Sequence, residues 1–209
     1  RGRMVLSGLR RGTYNTVNRS KLVQSVAERC EDLGGWASWC MGTDTVLGAG
    51  HEVVRCSSGV QQGDPLSPLL FSLLVADVAA ALEDHWNCPG RVQLHQQWYL
   101  DDGLLLVHRD QAVEVMNSVQ TAAEVVGLSL NRKKCEVLGR GDWCNALAAS
   151  MEATAFTNPY QWTYLGCPLS TANSDHPAFT AALKRCEKLA NYLSNYTTHI
   201  ELSPILLPP

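Results

Sequence analysis

Apolar positions recur along this chain with two periods, every three to four residues in some stretches and every second residue in others. Met4–Leu9 reads as a short buried strand. Ser20 then offers an N-cap, and Leu22, Val23, Val26, Ala27, Cys30 and Leu33 make a helical stripe that Gly34-Gly35 is placed to end. Thr43–Leu47 and Glu52–Cys56 flank Gly48-Ala49-Gly50-His51 as a hairpin. A Gly/Pro-bearing loop, Gly59–Pro68, leads into an apolar helix to about Asp84. Gln93–Leu100 and Gly103–His108 read as two strands joined by a very tight turn. Asp110 caps a helix to Val126 with Gly127 as its stop, and Lys133–Leu138 is a further strand. A short hairpin is expected around Trp162–Leu165. From about Asp175, Phe179, Leu183, Cys186, Leu189, Ala190 and Leu193 mark one face of a long helix.

With the small hairpin set aside, the first 138 residues run strand, helix, helix, strand, strand, helix, strand. That order predicts an α+β fold, with helices on one face of an antiparallel sheet in a ferredoxin-like, split βαβ arrangement. In such a sheet the first strand lies beside the central hairpin. The most apolar run, Leu66–Leu82, is broken by Ser72 and Asp77 and is short of a membrane span, so it reads as a buried helix.

Composition narrows the class. Of 209 residues, 45% are hydrophobic and 18% charged, which marks a globular chain long enough for one core and part of a second. The net charge of −3 is unevenly spread: residues 1–21 hold six basic groups and no acid, leaving 11 basic against 20 acidic residues in the remainder. Any grip on a phosphate backbone therefore falls to that arginine-rich start, which reads equally well as a solvated basic tail. Eight scattered cysteines without a Cys-x-x-Cys pair read as reduced thiols of an intracellular protein, nuclear or cytoplasmic. No signal peptide precedes Met4-Val5-Leu6, and no membrane partner is expected. Residue 1 is not methionine and the chain stops in Leu206-Leu207-Pro208-Pro209, so both ends look cut.

Candidate chemistry gathers at Tyr99-Leu100-Asp101-Asp102-Gly103. Asp-Gly between strands is an ordinary hairpin turn, but two adjacent carboxylates there repel unless solvated or holding cations. Upstream stands Gln62-Gly63-Asp64-Pro65-Leu66-Ser67-Pro68, where a glycine lets backbone approach a ligand closely and Ser67 is placed to cap the helix that Pro68 begins. The two motifs together, in this order and spacing, resemble the palm of reverse transcriptases of non-LTR retroelements, RNA-directed DNA polymerases with a Gln-Gly-x-x-x-Ser-Pro loop and an aromatic-x-Asp-Asp hairpin. Three further segments extend the resemblance from about residue 9 to 170. Gly127-Leu128-Ser129-Leu130-Asn131 with Lys134 is similar to the family's Gly-Leu-x-x-Asn-x-x-Lys segment, although a capped helix end and a surface lysine would look the same. Tyr164-Leu165-Gly166 resembles its primer-gripping hairpin, and Tyr14-Asn15-Thr16-Val17-Asn18-Arg19 resembles the tail of its first catalytic motif.

What the resemblance implies is templated addition of deoxynucleotides to a primer 3′-hydroxyl on Mg²⁺, with Mn²⁺ an alternative, and partners that are an RNA template, a DNA primer and dNTP. Asp101 and Asp102 become the metal-binding catalytic carboxylates and Lys134 the group that serves the leaving pyrophosphate. Gln62, Gly63, Ser67 and Tyr99 line the substrate side, and Tyr14 is the gate that clashes with a ribose 2′-hydroxyl. The implied layout is a palm over 1–170, without fingers, and the start of a helical thumb over 171–209. One position departs from the family: where it keeps its first metal-binding aspartate, this chain has Leu9, and no acid precedes Glu28. Two-metal chemistry draws carboxylates from separate strands, so an impaired polymerase is expected. The alternative is a non-catalytic retroelement remnant that at most binds nucleic acid or a protein partner.

Overall fold

The computed structural model describes residues 13–49, 52–61, 63–89, 93–139, 141–158, 161–169, 180, 184–188 and 191. The chain divides into two compact units, 1–157 and 158–209. In the first, a one-turn helix α1 (Thr13–Thr16) precedes α2 (Arg19–Arg29) and α3 (Glu31–Met41). Hairpin β1 (Thr45–Ala49) and β2 (Glu52–Cys56) follows, then the long helix α4 (Ser67–Trp86). A second hairpin, β3 (His95–Tyr99) and β4 (Asp102–Leu106), leads to α5 (Ala112–Val125). The unit closes with β5 (Glu136–Leu138), α6 (Trp143–Ser150) and β6 (Thr154–Phe156). The second unit contains a small hairpin, β7 (Thr163–Tyr164) and β8 (Cys167–Pro168), which turns on Leu165 and Gly166, both at positive φ. Residues 180, 184–188 and 191 are helical, within the stretch expected to form a long helix.

The core is built on α4. Its buried positions Leu70, Phe71, Leu74, Val75, Val78 and Leu82 follow the i, i+3/i+4 spacing, and each buried side chain of this size contributes about 1.5–3 kcal/mol. Leu22 and Val26 of α2 and Val115, Met116 and Val119 of α5 belong to the same buried cluster. Among the described residues every sheet has two strands; three are antiparallel and one, β5–β6, is parallel. The expected first strand, Met4–Leu9, lies outside the described residues. No helix of the described residues is long and apolar enough to cross a membrane.

Several local expectations change. Asn18 caps α2, its Oδ1 accepting from the Lys21 amide at 3.1 Å, so the helix starts two residues before the expected Ser20 cap would allow. Gly34 and Gly35 do not stop a helix. The chain breaks at Cys30, and Gly34 lies inside α3, where a Cβ would stand 3.2 Å from Ala27, so the missing side chain lets α2 and α3 approach closely. Ser67 is the first residue of α4 rather than its cap: Leu66 holds the cap position, and Ser67 Oγ donates instead to the Gln61 carbonyl at 2.6 Å. Asp110 makes no side-chain cap and sits in a 3-10 turn, Arg109–Gln111, ahead of α5. The strand expected at 133–138 is only Glu136–Leu138, since Arg132–Lys134 forms a 3-10 turn. Its parallel partner β6 lies beyond α6, because parallel strands need a crossover. Neither α6 nor β6 was expected.

Candidate active site

The β3–β4 hairpin turns on Leu100 and Asp101, with Tyr99 paired to Asp102 and Trp98 to Gly103. Asp-Gly is therefore not the turn: Asp102-Gly103 begins β4, which leaves Asp101 at the tip and Asp102 on the first rung. Leu100 has φ 53°, in the left-handed region that a branched side chain avoids, at a cost of order 1–3 kcal/mol. The hairpin is held in place from one side. Gln96 Nε2 donates to the Ala79 carbonyl of α4 at 2.7 Å, and Trp98 Nε1 donates to Gln96 Oε1 at 2.9 Å. The Trp98 ring lies over Gly103, where a Cβ would stand 2.5 Å from it, so only glycine fits opposite the indole. Trp98 and Gln96 point toward α4 while Tyr99, 59% exposed, is left at the solvent side beside the carboxylates.

Charge coupling shows which groups share this end of the hairpin. The Asp102 carboxyl is pushed above its ordinary range by burial first and then by the neighbouring Asp101 charge, while Lys134 pulls it down. Burial, the Asp101 charge and Tyr99 all raise the Tyr14 hydroxyl. Glu136 is raised by burial and by Asp102. Five residues expected at the site are thus electrostatic neighbours: Tyr14, Tyr99, Asp101, Asp102 and Lys134. Tyr14 reaches this group from α1, its ring stacked on Phe71 of α4 at 4.5 Å between centroids and 21° between planes. Lys134 reaches it from the 3-10 turn before β5.

The Gln62–Pro68 motif is placed in part. Gln62 lies outside the described residues, as does Leu9. Gly63 has φ 92°, which only glycine adopts easily, and a Cβ there would meet open space. Asp64 Oδ1 accepts from the Leu66 amide at 2.9 Å, and the Ser67–Gln61 bond closes the loop across its base. Ser67 is buried, so its hydroxyl shapes the loop rather than facing solvent.

Glu136 was missed. No local pattern marked it: Lys134 belongs to the 3-10 turn and Glu136 is the first residue of β5, so strand alternation does not relate the two. Beside it, Cys135 is a packing residue: burial pushes its thiol up to about 12, and its Sγ donates to the Asn131 carbonyl at 3.3 Å. Among the described residues no group of three or more His, Cys, Asp or Glu is arranged to hold a metal ion.

A family model described as reverse transcriptase (RNA-dependent DNA polymerase) matches residues 10–169, well over half of the chain. The chain belongs to the reverse transcriptase family. Its relatives include the retrovirus-related Pol polyprotein from type-1 retrotransposable element R2 of Popillia japonica, 36% identical over 86 residues. That match covers 37% of this chain and 14% of the relative. The corresponding polyprotein from type-2 element R2DM of Drosophila melanogaster is 30% identical over 120 residues, covering 52% of this chain and 11% of the relative. A third, from type-1 element R2 of Nasonia vitripennis, is 26% identical over 126 residues, 54% of this chain and 12% of the relative. This reverse transcriptase segment therefore spans a small fraction, 11–14%, of the polyproteins it matches. The match with these R2 elements agrees with the non-LTR resemblance read from the motifs.

Proposed function

We propose that this chain is the palm of a non-LTR reverse transcriptase, with a thumb beginning after residue 170, and that its family reaction is weakened here by Leu9. The observation that carries the reading is the gathering of Tyr14, Tyr99, Asp101, Asp102 and Lys134 at the turn of β3–β4. The reaction is RNA-templated addition of a deoxynucleotide to a primer 3′-hydroxyl. The partners are an RNA template, a DNA primer and dNTP.

The donor set bears on the metal directly. Asp101 and Asp102 repel one another and Asp102 is partly desolvated, so a divalent cation such as Mg²⁺ relieves a cost already present in the fold. Two carboxylates suit one such ion; the third that a bridged pair requires is missing from the described residues. When bound, the ion supplies Lewis-acid stabilisation of phosphoryl charge. The residues do the rest. Lys134, drawn toward Asp102, presents a cation to the departing pyrophosphate. Tyr14, stacked on Phe71, presents its ring to the sugar, and Gly63 leaves the open space through which backbone approaches nucleotide and template. Gln62 positions them with its amide.

Leu9 stands where the family keeps an aspartate, just ahead of the matched region that starts at residue 10. If a carboxylate there contributes about 4 kcal/mol to transition-state stabilisation, its loss slows the reaction about a thousandfold. Primer extension on an RNA template with Mg²⁺ tests the reading. Slow extension by the natural chain, a rise with Leu9→Asp and complete loss with Asp101→Ala are expected. Ready extension that Asp101→Ala leaves untouched removes the site assignment. The second reading, a non-catalytic remnant, draws on the same Leu9. It predicts no extension even with Leu9→Asp, and only salt-sensitive nucleic-acid binding through the arginines of residues 1–21.

A further inference from the structure

The segment that carries Tyr14 is gripped from two sides. Gly59, at φ 81°, lies against it so closely that a Cβ would stand 2.6 Å from both the Tyr14 carbonyl and the Asn15 Cα. Its amide donates to the Val17 carbonyl at 2.8 Å, and the next amide, Val60, donates to the Tyr14 carbonyl at 2.7 Å. On the other side Gly127, at φ 80°, ends α5 against Thr16 and Asn18, where a Cβ would stand 2.8 Å from the Asn18 nitrogen, and the Asn18 amide donates to the Val126 carbonyl at 3.1 Å. The Gly127 contact follows from helix termination alone. The Gly59 contact has a second support.

That support is Arg19, which is only 7% exposed. Its Nε donates to the Gly59 carbonyl at 2.9 Å, and its Nη1 donates to the Thr43 carbonyl at 3.1 Å and to Thr45 Oγ1 at 3.2 Å. A buried guanidinium is costly unless its donors are satisfied, and a planar fork is the group that satisfies several carbonyls in fixed directions at once. One side chain thus fixes the loop 58–61 to the base of the first hairpin, while that loop holds the backbone of Tyr14. The same loop runs on to Gln61, whose carbonyl takes the Ser67 hydroxyl. Height and tilt of the Tyr14 ring above Phe71 are therefore set at one end by the stack and at the other by the Arg19 fork.

We propose that Arg19 is a positioning residue for sugar selection: through Gly59 it holds the Tyr14 backbone so that the ring stands where a ribose 2′-hydroxyl would go. This rests on the reading of Tyr14 as the gate. A ring that rises or tilts by a fraction of an ångström still stacks but no longer excludes the hydroxyl, so the loss is expected in discrimination more than in nucleotide affinity.

The test needs no turnover. The full chain is loaded with an RNA template and a chain-terminated DNA primer in Ca²⁺, and the concentrations of matched dNTP and of the matching rNTP that stabilise the complex are compared. Arg19→Met is expected to lower the dNTP-over-rNTP preference about tenfold, with dNTP binding little changed. Arg19→Lys, which keeps the charge but not the fork, recovers part of it, and Thr45→Val, which removes one acceptor and leaves the buried charge in place, gives a smaller loss. In a Tyr14→Ala background Arg19→Met changes the preference no further, because the two act through one ring. Equal weakening of both nucleotides by Arg19→Met, or full preference kept by both Arg19→Met and Thr45→Val, overturns the inference while leaving the polymerase reading intact. Failure of the natural chain to bind matched dNTP on the primed template overturns both.

Discussion

The two hairpins of the first unit, each of two five-residue strands, differ in what stands behind them. Both β1–β2 and β3–β4 are antiparallel two-stranded ribbons among the described residues. The first displays Val46 and Val53 at 56% and 65% exposure, and Arg19 grips its start at Thr43 and Thr45. The second is backed by α4: Gln96 bonds the Ala79 carbonyl, Trp98 covers Gly103 and Leu105 is fully buried. An isolated hairpin is marginal in water. A turn that must hold two carboxylates and a leucine at positive φ thus needs a third support, and α4 gives it to β3–β4.

Cutting that support should have the largest effect on stability. Trp98→Ala removes a half-buried indole and its bond to Gln96; a loss of about 2–3 kcal/mol in urea unfolding is expected, short of a fully buried tryptophan. Gly103→Ala drives a methyl into the Trp98 ring and should cost about 1–3 kcal/mol, whereas Gly48→Ala in β1, where a Cβ meets nothing within 4 Å, stays within about 0.5 kcal/mol. Equal costs at the two glycines would erase the distinction between the hairpins. Gln96→Met, which strips the hydrogen bond to α4 and the acceptor of Trp98 Nε1, is expected to cost about 1–2 kcal/mol by the same measurement.

A pH series adds a signed test. Asp102 is an acid whose folded pKa is raised, so the folded state holds its proton more tightly than the unfolded chain does. Its contribution is most favourable below the ordinary value of 3.8, is lost as pH rises from there through the raised value, and is constant above. Asp102→Asn should therefore gain stability relative to the natural chain at neutral pH while losing primer extension. A decline of the urea midpoint with pH that is unchanged in the variant would place the effect elsewhere, with Glu136 as the next group to replace. The smallest change is expected at the first hairpin: Val53→Ser alters an exposed side chain and should move stability by less than about 0.5 kcal/mol.

Local chemistry was legible wherever the deciding contact lies within a few residues. Gly127 as a helix stop and the tight hairpin between Tyr99 and Gly103 follow from backbone sterics that neighbours impose, although the turn sits on Leu100 and Asp101, one residue earlier than read. Where a distant partner decides, the reading slipped. Ser67 looked like a cap, yet its hydroxyl goes to Gln61, and Gly34 looked like a stop, yet it is a contact surface for Ala27. The short α6 and β6 carry little periodicity of their own: β6 is defined by its pairing with β5, and α6 is the crossover between the two strands.

By itself the sequence determined the family, through motifs whose residue types and spacing are specific, and the positions of Asp101, Asp102, Lys134 and Tyr14 along the chain. It also determined that no carboxylate precedes Glu28. Only the tertiary structure decided that Tyr14 shares an electrostatic neighbourhood with Asp101, that Glu136 adds a charge beside Asp102, and that Arg19 is buried against Gly59. The reason is physical. Turn geometry and helix periodicity act over a few residues, whereas charge coupling and close backbone approach depend on which segments packing against α4 brings together.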